Sequence, residues 1–267
     1  MTEKLVRMEG IEKSFGEVRA LRGVDFQLER NEIVGLIGDN GAGKSTLIKI
    51  LSGVFPYTKG RMEIKGKEIH PDQYSVKRAH GMGIETVYQE QALGLKQSLW
   101  RNIFLGRQPT NRAGFIRMKK VRDETNHIMR SFLGFTGGGI TPDSRVSTLS
   151  GGERQGVAIG RAMYFEADLI ILDEPTRALS VKEVGKVLGF IRQVKEQGKA
   201  CVYISHTISN IYSVSDRFVL MDRGMVVGEY NRVNISEQDL TDELMHHSTT
   251  AELAGRAKNS DEEDDSP

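Results

Sequence analysis

Residues 32–46 read EIVGLIGDNGAGKST, and this stretch decides the fold. IVGLI is a short run of mostly large apolar residues that ends in glycine, which predicts a buried strand. The residues from Gly38 to Ser45 fit the G-x-x-x-x-G-K-[ST] pattern. Their glycines let successive backbone amides point inward at a helix N-terminus, where they bind phosphate. KSTLIKILSG then has the apolar spacing of a helix and stops at Gly53.

This phosphate loop predicts a nucleotide with its magnesium ion. Lys44 is expected to reach the β- and γ-phosphates, and the Ser45 hydroxyl is expected to bind Mg²⁺. Because the loop lies between a predicted strand and a predicted helix, an ordinary glycine-rich turn is disfavoured. The loop residues predicted to contact the nucleotide are Gly38, Asp39, Asn40, Gly41, Ala42, Gly43, Lys44, Ser45 and Thr46.

LIILDEP, residues 169–175, supplies the second part of the predicted site. Asp173 ends an apolar strand and is predicted to hold the magnesium shell through water, and Glu174 to polarise the attacking water. Taken alone, Asp-Glu before Pro175 could equally be the N-cap of a helix. Downstream of a phosphate loop, the catalytic function is favoured.

Composition narrows the class of protein. Lysine plus arginine (37) nearly balances aspartate plus glutamate (36), so no basic field indicates nucleic acid. The single cysteine, Cys201, excludes an internal disulfide framework and fits a reducing cytosol. The first residues lack the apolar core of a signal peptide, and no run approaches the ~18 apolar residues of a bilayer span. Any function at a membrane is therefore expected to come through a partner.

The remaining sequence predicts an α/β chain with an insert. Short β-rich runs fill residues 4–88, and residues 90–146 favour helices. Strands and helices alternate from residue 149 onward, which predicts a largely parallel, doubly wound sheet. RFVLMDRGMVVGEY is expected to form a closing hairpin. In the insert, one face of a helix over residues 118–135 is predicted to carry Val121, Thr125, Ile128, Met129, Phe132 and Leu133.

LSGGERQ, residues 149–155, lies between the two phosphate-handling motifs, and we call it the signature segment. Ser-Gly-Gly offers a hydroxyl and unhindered amides with a helix dipole behind them. With the three motifs in this order, the chain resembles the ATP-binding subunits of ABC transporters over almost its whole length. The resemblance implies the ABC ATPase fold: a P-loop NTPase α/β core with a mostly parallel sheet, an antiparallel β subdomain and a helical insert. It implies an ATP-binding domain over residues 1–250, with the insert at about 90–146. Residues 251–267 are expected to form an acidic, disordered tail.

The resemblance also implies a function for each site residue. Ser150, Gly151 and Gly152 would contact the γ-phosphate of ATP held by a second copy of the chain. Phe15 matches the aromatic that stacks on adenine, although it could be an ordinary core residue. Gln89 matches the glutamine that senses Mg²⁺ and the attacking water.

Two further assignments follow from the same resemblance. His206 matches the histidine at the γ-phosphate and joins Glu174 and Gln89 as an implied catalytic residue. Asn102, Ile103 and Phe104 lie in the segment that packs near the coupling helix of the membrane subunit. ATP and Mg²⁺ are the implied cofactors.

One segment departs from the family pattern. After DEPT, the sequence reads RALSVKE, residues 177–183. Ser180 stands where an aspartate that crosses the dimer interface is expected, so communication between two ATP sites is expected to change. Arg177 either pairs with Glu183 or another surface acid, or tunes the interface. We also expect weak basal hydrolysis without a membrane partner.

Several phrases, among them LIKILSGVFPYTKG, GIETVYQE and NRAGFI, are similar to those of monosaccharide importers of the ribose, xylose, galactose and fructose type. The chain has one set of motifs, so a homodimer is expected. The other implied partners are integral membrane permease subunits and, indirectly, a periplasmic sugar-binding protein. Nucleic acid is not an expected partner. The implied location is the cytoplasmic face of the inner membrane, as a peripheral subunit.

Three other functions stay open from the sequence. A non-transport relative, such as a translation factor or a DNA-repair ATPase, would usually carry two ATP-binding halves or a long coiled-coil insert. An exporter with separate membrane subunits shares the same motifs. A phosphoryl-transfer kinase would explain the phosphate loop but not the signature segment or His206.

Overall fold

The computed structural model describes residues 4–88, 93–131, 139–177 and 179–247. The strands are β1 (Lys4–Phe15), β2 (Val18–Glu29), β3 (Ile33–Ile37), β4 (Lys59–Ile64), β5 (Lys67–Glu68), β6 (Ile84–Val87), β7 (Leu169–Asp173), β8 (Ala200–Ile204), β9 (Arg217–Asp222) and β10 (Met225–Asn231). The α-helices are α1 (Lys44–Leu51), α2 (Val76–Gly81), α3 (Leu99–Ile103), α4 (Met118–Ser131), α5 (Gly151–Tyr164), α6 (Val181–Glu196) and α7 (Ile208–Tyr212). A further helical segment covers residues 237–247.

The main sheet has six strands in the order β10-β9-β3-β8-β7-β6. All pairs are parallel except β9 with β10, which form the predicted hairpin. Every residue of β3, β7 and β8 is buried, as expected for strands covered on both faces. The predicted largely parallel sheet is confirmed. The phosphate loop directly follows β3, and Asp173 is the last residue of β7, so both lie at the carboxyl ends of central strands.

The second sheet is antiparallel, with the order β2-β1-β4-β5. β1 and β2 each run for 12 residues, longer than the short strands that the sequence predicted. Register shifts divide their ladder, including one between Met8 and Ile11 where Gly10 has φ 57°. Bulges of this kind break the hydrophobic alternation, so one long strand has the sequence pattern of several short ones.

Apolar side chains on the two faces of the main sheet belong to separate cores. Val34 and Leu36 of β3 pack with α1 and the antiparallel sheet. Ile33 and Ile37 point to the other face and pack with α5 and α6. This alternation makes β3 the element that both cores hold in place, directly before the phosphate loop.

The helical insert has a third core, which extends into α5. Val121, Thr125, Ile128 and Met129 of α4 are buried, as predicted; Phe132 and Leu133 lie outside the described residues. This core includes Val157, whereas the next two residues of α5 pack against the main sheet. α5 therefore joins the insert to the sheet, and the signature segment forms its N-terminus.

A partly buried ion pair also connects the insert to the sheet. Arg107 donates two hydrogen bonds to the carboxylate of Glu85 in β6, at 2.5 and 3.0 Å. The guanidinium lies 3.6 Å from the ring centroid of Phe165, at the end of α5.

Across the described ranges, no helix is both long enough and apolar enough to cross a membrane.

Candidate nucleotide site

The shape of the phosphate loop explains its glycines. Gly38 has φ 149°, and a Cβ there would overlap the backbone carbonyl of Met221. Gly43 has φ 102°, and a Cβ there would lie 2.9 Å from the Leu21 side chain and 3.0 Å from the Ala20 carbonyl oxygen. The N–H of Gly224, in the β9–β10 turn, donates to the Ala42 carbonyl (3.0 Å). The loop is therefore held between β2 and the β9–β10 turn.

Lys44 lies inside the loop at the start of α1. Its Nζ donates to the carbonyl oxygens of Gly38 (2.5 Å) and Asp39 (2.9 Å), and the residue is 7% exposed. Burial lowers the pKa of Lys44, while the nearby Glu174, Asp173 and Asp39 oppose that change. The loop carbonyls offer the Lys44 ammonium only partial negative charge. A bound phosphate would give it a fully anionic partner.

A cavity of about 510 Å³ opens above the loop. It brings together residues that are far apart in the sequence: the loop, Asp173, Glu174 and Phe15. The ring of Phe15 is 43% exposed, so it is not an ordinary core aromatic. It contacts Phe55 edge-on at 5.2 Å between centroids, and Lys13 Nζ lies 5.0 Å from its centre. An exposed aromatic ring at the mouth of the cavity offers a face on which a nucleobase can stack.

Three arginines that the sequence did not predict also line this cavity. Arg19 and Arg22 come from β2, and Arg223 comes from the β9–β10 turn. They add positive charge beside the loop, which suits a polyphosphate. The sequence offers no signal for them, because they reach the loop only where β2 packs beside the β9–β10 turn.

Asp173 and Ser45 line the same cavity and fit a magnesium ion. Asp173 is 6% exposed, and burial raises the pKa of its carboxyl; Glu174 adds to the rise, while Lys44, Lys49 and His206 oppose it. Within the described ranges, no cluster of three or more His, Cys, Asp or Glu side chains could hold a metal alone. Magnesium at a nucleotide needs few protein ligands, since phosphate and water oxygens complete its shell.

Replacing Asp173 with Asn is expected to stabilise the nucleotide-free chain at neutral pH. Because the folded-state pKa is raised, folding disfavours the ionised form. This penalty is absent below the ordinary carboxyl pKa, where both states are protonated, and grows as pH rises through the raised pKa. A penalty of about 1 kcal/mol corresponds to a rise in Tm of about 2 to 4 °C.

Thermal unfolding at neutral and acidic pH measures this effect. Asp123→Asn, on the exposed side of α4, is the matched control and should leave Tm unchanged. A lower Tm for Asp173→Asn at neutral pH would show that the carboxylate stabilises the fold instead.

Glu174 combines a strained backbone with a specific partner. Its φ is 50°, a left-handed conformation that costs a non-glycine residue roughly 1 kcal/mol or more. Its N–H donates to the Ile204 carbonyl at the end of β8 (3.0 Å). Its carboxylate Oε1 lies 2.5 Å from Nε2 of His206. The structure thus brings together two of the three predicted catalytic residues.

A second cavity, of about 400 Å³, surrounds this pair. Its lining includes Asn40 of the phosphate loop, so Glu174 and His206 lie beside the loop. Arg177, which is exposed, also lines it. Gln89, the third predicted catalytic residue and a predicted metal ligand, lies outside the described residues.

The signature segment lies apart from the phosphate loop. Ser150 is the N-cap of α5, and its Oγ accepts from the N–H of Glu153 (3.2 Å). The Glu153 carboxylate accepts in return from the N–H of Ser150 (2.7 Å), which completes a capping box. Of the described residues that line the loop cavity, none belongs to the signature segment. A single chain therefore does not bring Ser150, Gly151 or Gly152 to its own phosphate loop.

The segment that departs from the family pattern forms the start of α6. Ser180 is the N-cap, and its N–H and Oγ both donate to Oε2 of Glu183, at 2.9 and 2.8 Å. Oε1 of Glu183 accepts from the N–H of Gly152 (3.0 Å). Arg177 and Glu183, both within the described part, form no ion pair, so that suggested partner for Arg177 is wrong.

Comparisons with known proteins agree with this geometry. A family model described as ABC transporter matches residues 21–177. The chain is 40% identical over 240 residues to the xylose/arabinose import ATP-binding protein XylG of Sulfolobus acidocaldarius, covering 89% of this chain and 92% of that protein. It is 37% identical over 264 residues to the galactofuranose transporter ATP-binding protein YtfR of Escherichia coli strain K12. That match covers 97% of this chain and 51% of that protein, so the chain spans about half its length.

A solved structure supports the fold. The ATP-binding cassette MJ0796, a dimer with ADP and Pi, matches with a TM-score of 0.72 at 23% identity, covering 85% of this chain and 98% of that one. This likeness confirms the predicted ABC ATPase fold. The family model and the 40% identical relative show that this chain belongs to the ABC transporter family of ATP-binding proteins.

Proposed function

We propose that this chain hydrolyses ATP to drive a membrane importer whose cargo is a monosaccharide such as xylose, ribose or fructose. The observation that carries the ATPase part is the convergence of Lys44, Asp173 and the Glu174–His206 pair on one loop. The cargo class is supported by the relatives, which are named for xylose/arabinose import, ribose import and a galactofuranose transporter.

Each site residue has its own function in the proposed reaction. The loop amides and Lys44 bind the phosphates of ATP. Ser45, together with Asp173 through water, would hold Mg²⁺, which supplies positive charge against the phosphate oxygens. Glu174 accepts the proton of the attacking water, and His206 orients Glu174 and reaches the terminal phosphate. We retain Gln89 as a proposed contact to the metal and water.

We further propose that two copies of the chain form each complete site. Ser150, Gly151 and Gly152 offer a hydroxyl and amides at a helix N-terminus but line no part of their own loop cavity. A second copy facing the loop would add these donors to the terminal phosphate. ATP would then favour the closed dimer, because the shared phosphate contacts exist only in that state.

The surface for a permease subunit is proposed on the insert. A cavity of about 330 Å³ there is lined by residues that include Trp100, Arg101, Leu105 and Ile116. Leu105 is 64% exposed, whereas Ile103 and Phe104 are fully buried, so those two support the surface and do not form it. Asn102 is buried too, and its side chain bonds the backbone of Gly94. Because α5 links the insert to the sheet, movement at the signature segment would reach this surface.

We propose the same domain limits as the sequence predicts. Residues 1–250 form the ATP-binding domain with the insert at about 90–146, on the cytoplasmic face of the inner membrane. The proposed acidic tail, residues 251–267, lies outside the described residues. A periplasmic sugar-binding protein would act indirectly, through the permease.

Sugar uptake tests this function directly. Uptake of labelled xylose, ribose, fructose and galactose is measured in cells lacking the gene and complemented with the wild-type chain or with Lys44→Ala. We expect uptake of at least one sugar to require the wild-type chain. Uptake of all four sugars that is unaffected by the deletion would refute the proposed cargo.

Leu105→Asp is expected to abolish complementation in the same assay while leaving ATP binding by the purified chain unchanged. A carboxylate in an apolar contact loses its hydration without gaining a partner. Val233→Asp, a change at another exposed apolar residue outside the insert, is the matched control and should complement fully. Full uptake with Leu105→Asp would exclude this surface as the permease contact.

A further inference from the structure

The Glu183 carboxylate joins the N-termini of two helices. Oε2 accepts both donors of Ser180, at the start of α6, and Oε1 accepts the N–H of Gly152, at the start of α5. These bonds, those from Ser180 foremost, lower the pKa of Glu183, so the carboxylate is charged at neutral pH. A charged acceptor is therefore already present at the signature segment of the nucleotide-free chain.

This contact conflicts with the proposed closed dimer. The N–H of Gly152 is one of the donors that would contact the terminal phosphate of ATP on the second copy. An N–H aligned with Glu183 is not free for a phosphate oxygen, and the carboxylate repels the phosphate charge at short range. A Cβ built on Gly152 would overlap the Glu183 side chain, so the two residues pack without a gap.

We propose that Glu183 is a positioning residue that holds the signature segment in the nucleotide-free chain and must release Gly152 before two copies close on ATP. The inference rests on the proposed function. Breaking the contact between Glu183 and Gly152 in each copy adds a free-energy cost to dimer closure. Glu183 would thereby set the ATP concentration at which the dimer forms.

A released Glu183 has an alternative partner and space to reach it. Lys186 lies one turn further along α6 and already attracts the carboxylate. A cavity of about 310 Å³ between α5 and α6 is lined by Glu183, Lys182 and Lys186. The side chain can therefore leave Gly152 without losing its hydration or its charge partner.

The serine at position 180 fits this role. Its hydroxyl donates to Glu183, which an ionised aspartate could not do, and an aspartate would place a second negative charge beside the carboxylate. Ser180 and Glu183 thus act together at the start of α6.

Glu183→Gln separates the two contacts of the carboxylate. A glutamine at the third helical position still completes a capping box with Ser180 through its single carbonyl oxygen. Its other terminal atom is an amide nitrogen, which cannot accept from Gly152. Glu196→Gln, at the exposed far end of α6, removes the same charge and is the matched control.

Dimer formation is measured by light scattering during ATP titration, in the non-hydrolysing Glu174→Gln background. We expect Glu183→Gln to lower the half-maximal ATP concentration by about fivefold, the low end of typical coupling between sites. The control should match the background. An unchanged or increased ATP requirement for Glu183→Gln would overturn the proposal, and an increase would assign the carboxylate to support of the closed dimer.

Hydrogen exchange of the nucleotide-free chain tests the contact without a dimer. The peptide that contains Gly152 should exchange faster in Glu183→Gln than in Glu196→Gln, and equal exchange would overturn the proposed restraint. If the Glu174→Gln background forms no dimer with ATP, the proposed two-copy site fails, whereas the exchange result still decides whether Glu183 restrains the signature segment.

Discussion

Glu174→Gln is expected to lower ATP hydrolysis by about 10²- to 10⁴-fold, the range that general base catalysis contributes. Glutamine has nearly the same shape but cannot accept a proton from water. Glu174 lines the loop cavity and contacts His206, whereas the neighbouring carboxylate of Asp173 is assigned to the metal. Because ATP binding is retained, the variant should accumulate as an ATP-bound dimer, seen by light scattering alongside phosphate release.

Glu166→Gln is a closely matched control for this variant. Glu166 also adopts a left-handed conformation (φ 51°), but it is exposed and lines neither cavity of the site. Its replacement should leave hydrolysis within about twofold of wild type. If both variants lost hydrolysis equally, or if Glu174→Gln stayed monomeric with ATP, the assignment of Glu174 would be wrong.

Lys44→Ala is expected to weaken ATP binding by at least about 30-fold, which corresponds to about 2 kcal/mol. The ammonium group is nearly buried and is held by loop carbonyls at the position where phosphates would contact it. Its removal leaves the phosphate charge without its nearest cation and leaves two carbonyls without their donor. Isothermal titration with ATP measures the loss directly.

Lys49→Ala tests whether position, rather than charge alone, explains the effect. Lys49 is a cation of the same helix, but it lies near Phe55 and does not line the loop cavity. We expect an affinity change of less than about threefold, since a partly exposed charge at a distance is screened. Comparable losses for both lysines would indicate a general electrostatic effect and no dedicated phosphate contact.

The sequence predicts the core of this fold well because its signals are local. Residues 169–172 form a continuous apolar run that ends at Asp173, and all of them are buried in β7 as predicted. The apolar face of α4 agrees in the same way for Val121, Thr125 and Ile128. Helical and strand periodicities of this kind require no knowledge of what the element packs against.

Contacts between distant segments are what the sequence does not predict. Arg19 and Arg223 meet at the loop only because the antiparallel sheet packs beside the β9–β10 turn. Nor does the segment after DEPT reveal that Glu183 bonds Gly152, since this needs the relative position of α5 and α6. The bond from the Glu174 N–H to the end of β8 likewise joins segments that are distant in the sequence.

The shared site is the central claim, and complementation between two inactive variants tests it most directly. Glu174→Gln lacks the base but has an intact signature segment. Gly151→Asp puts a negative charge against the incoming phosphate; the structure has room for the side chain, and an acid suits the helix N-terminus.

In a mixed dimer, one site would combine the intact base of the Gly151→Asp copy with the intact signature segment of the Glu174→Gln copy. Hydrolysis by the mixture should therefore rise well above the sum of the two variants measured separately. A mixture that hydrolyses ATP no faster than that sum would contradict the two-copy site.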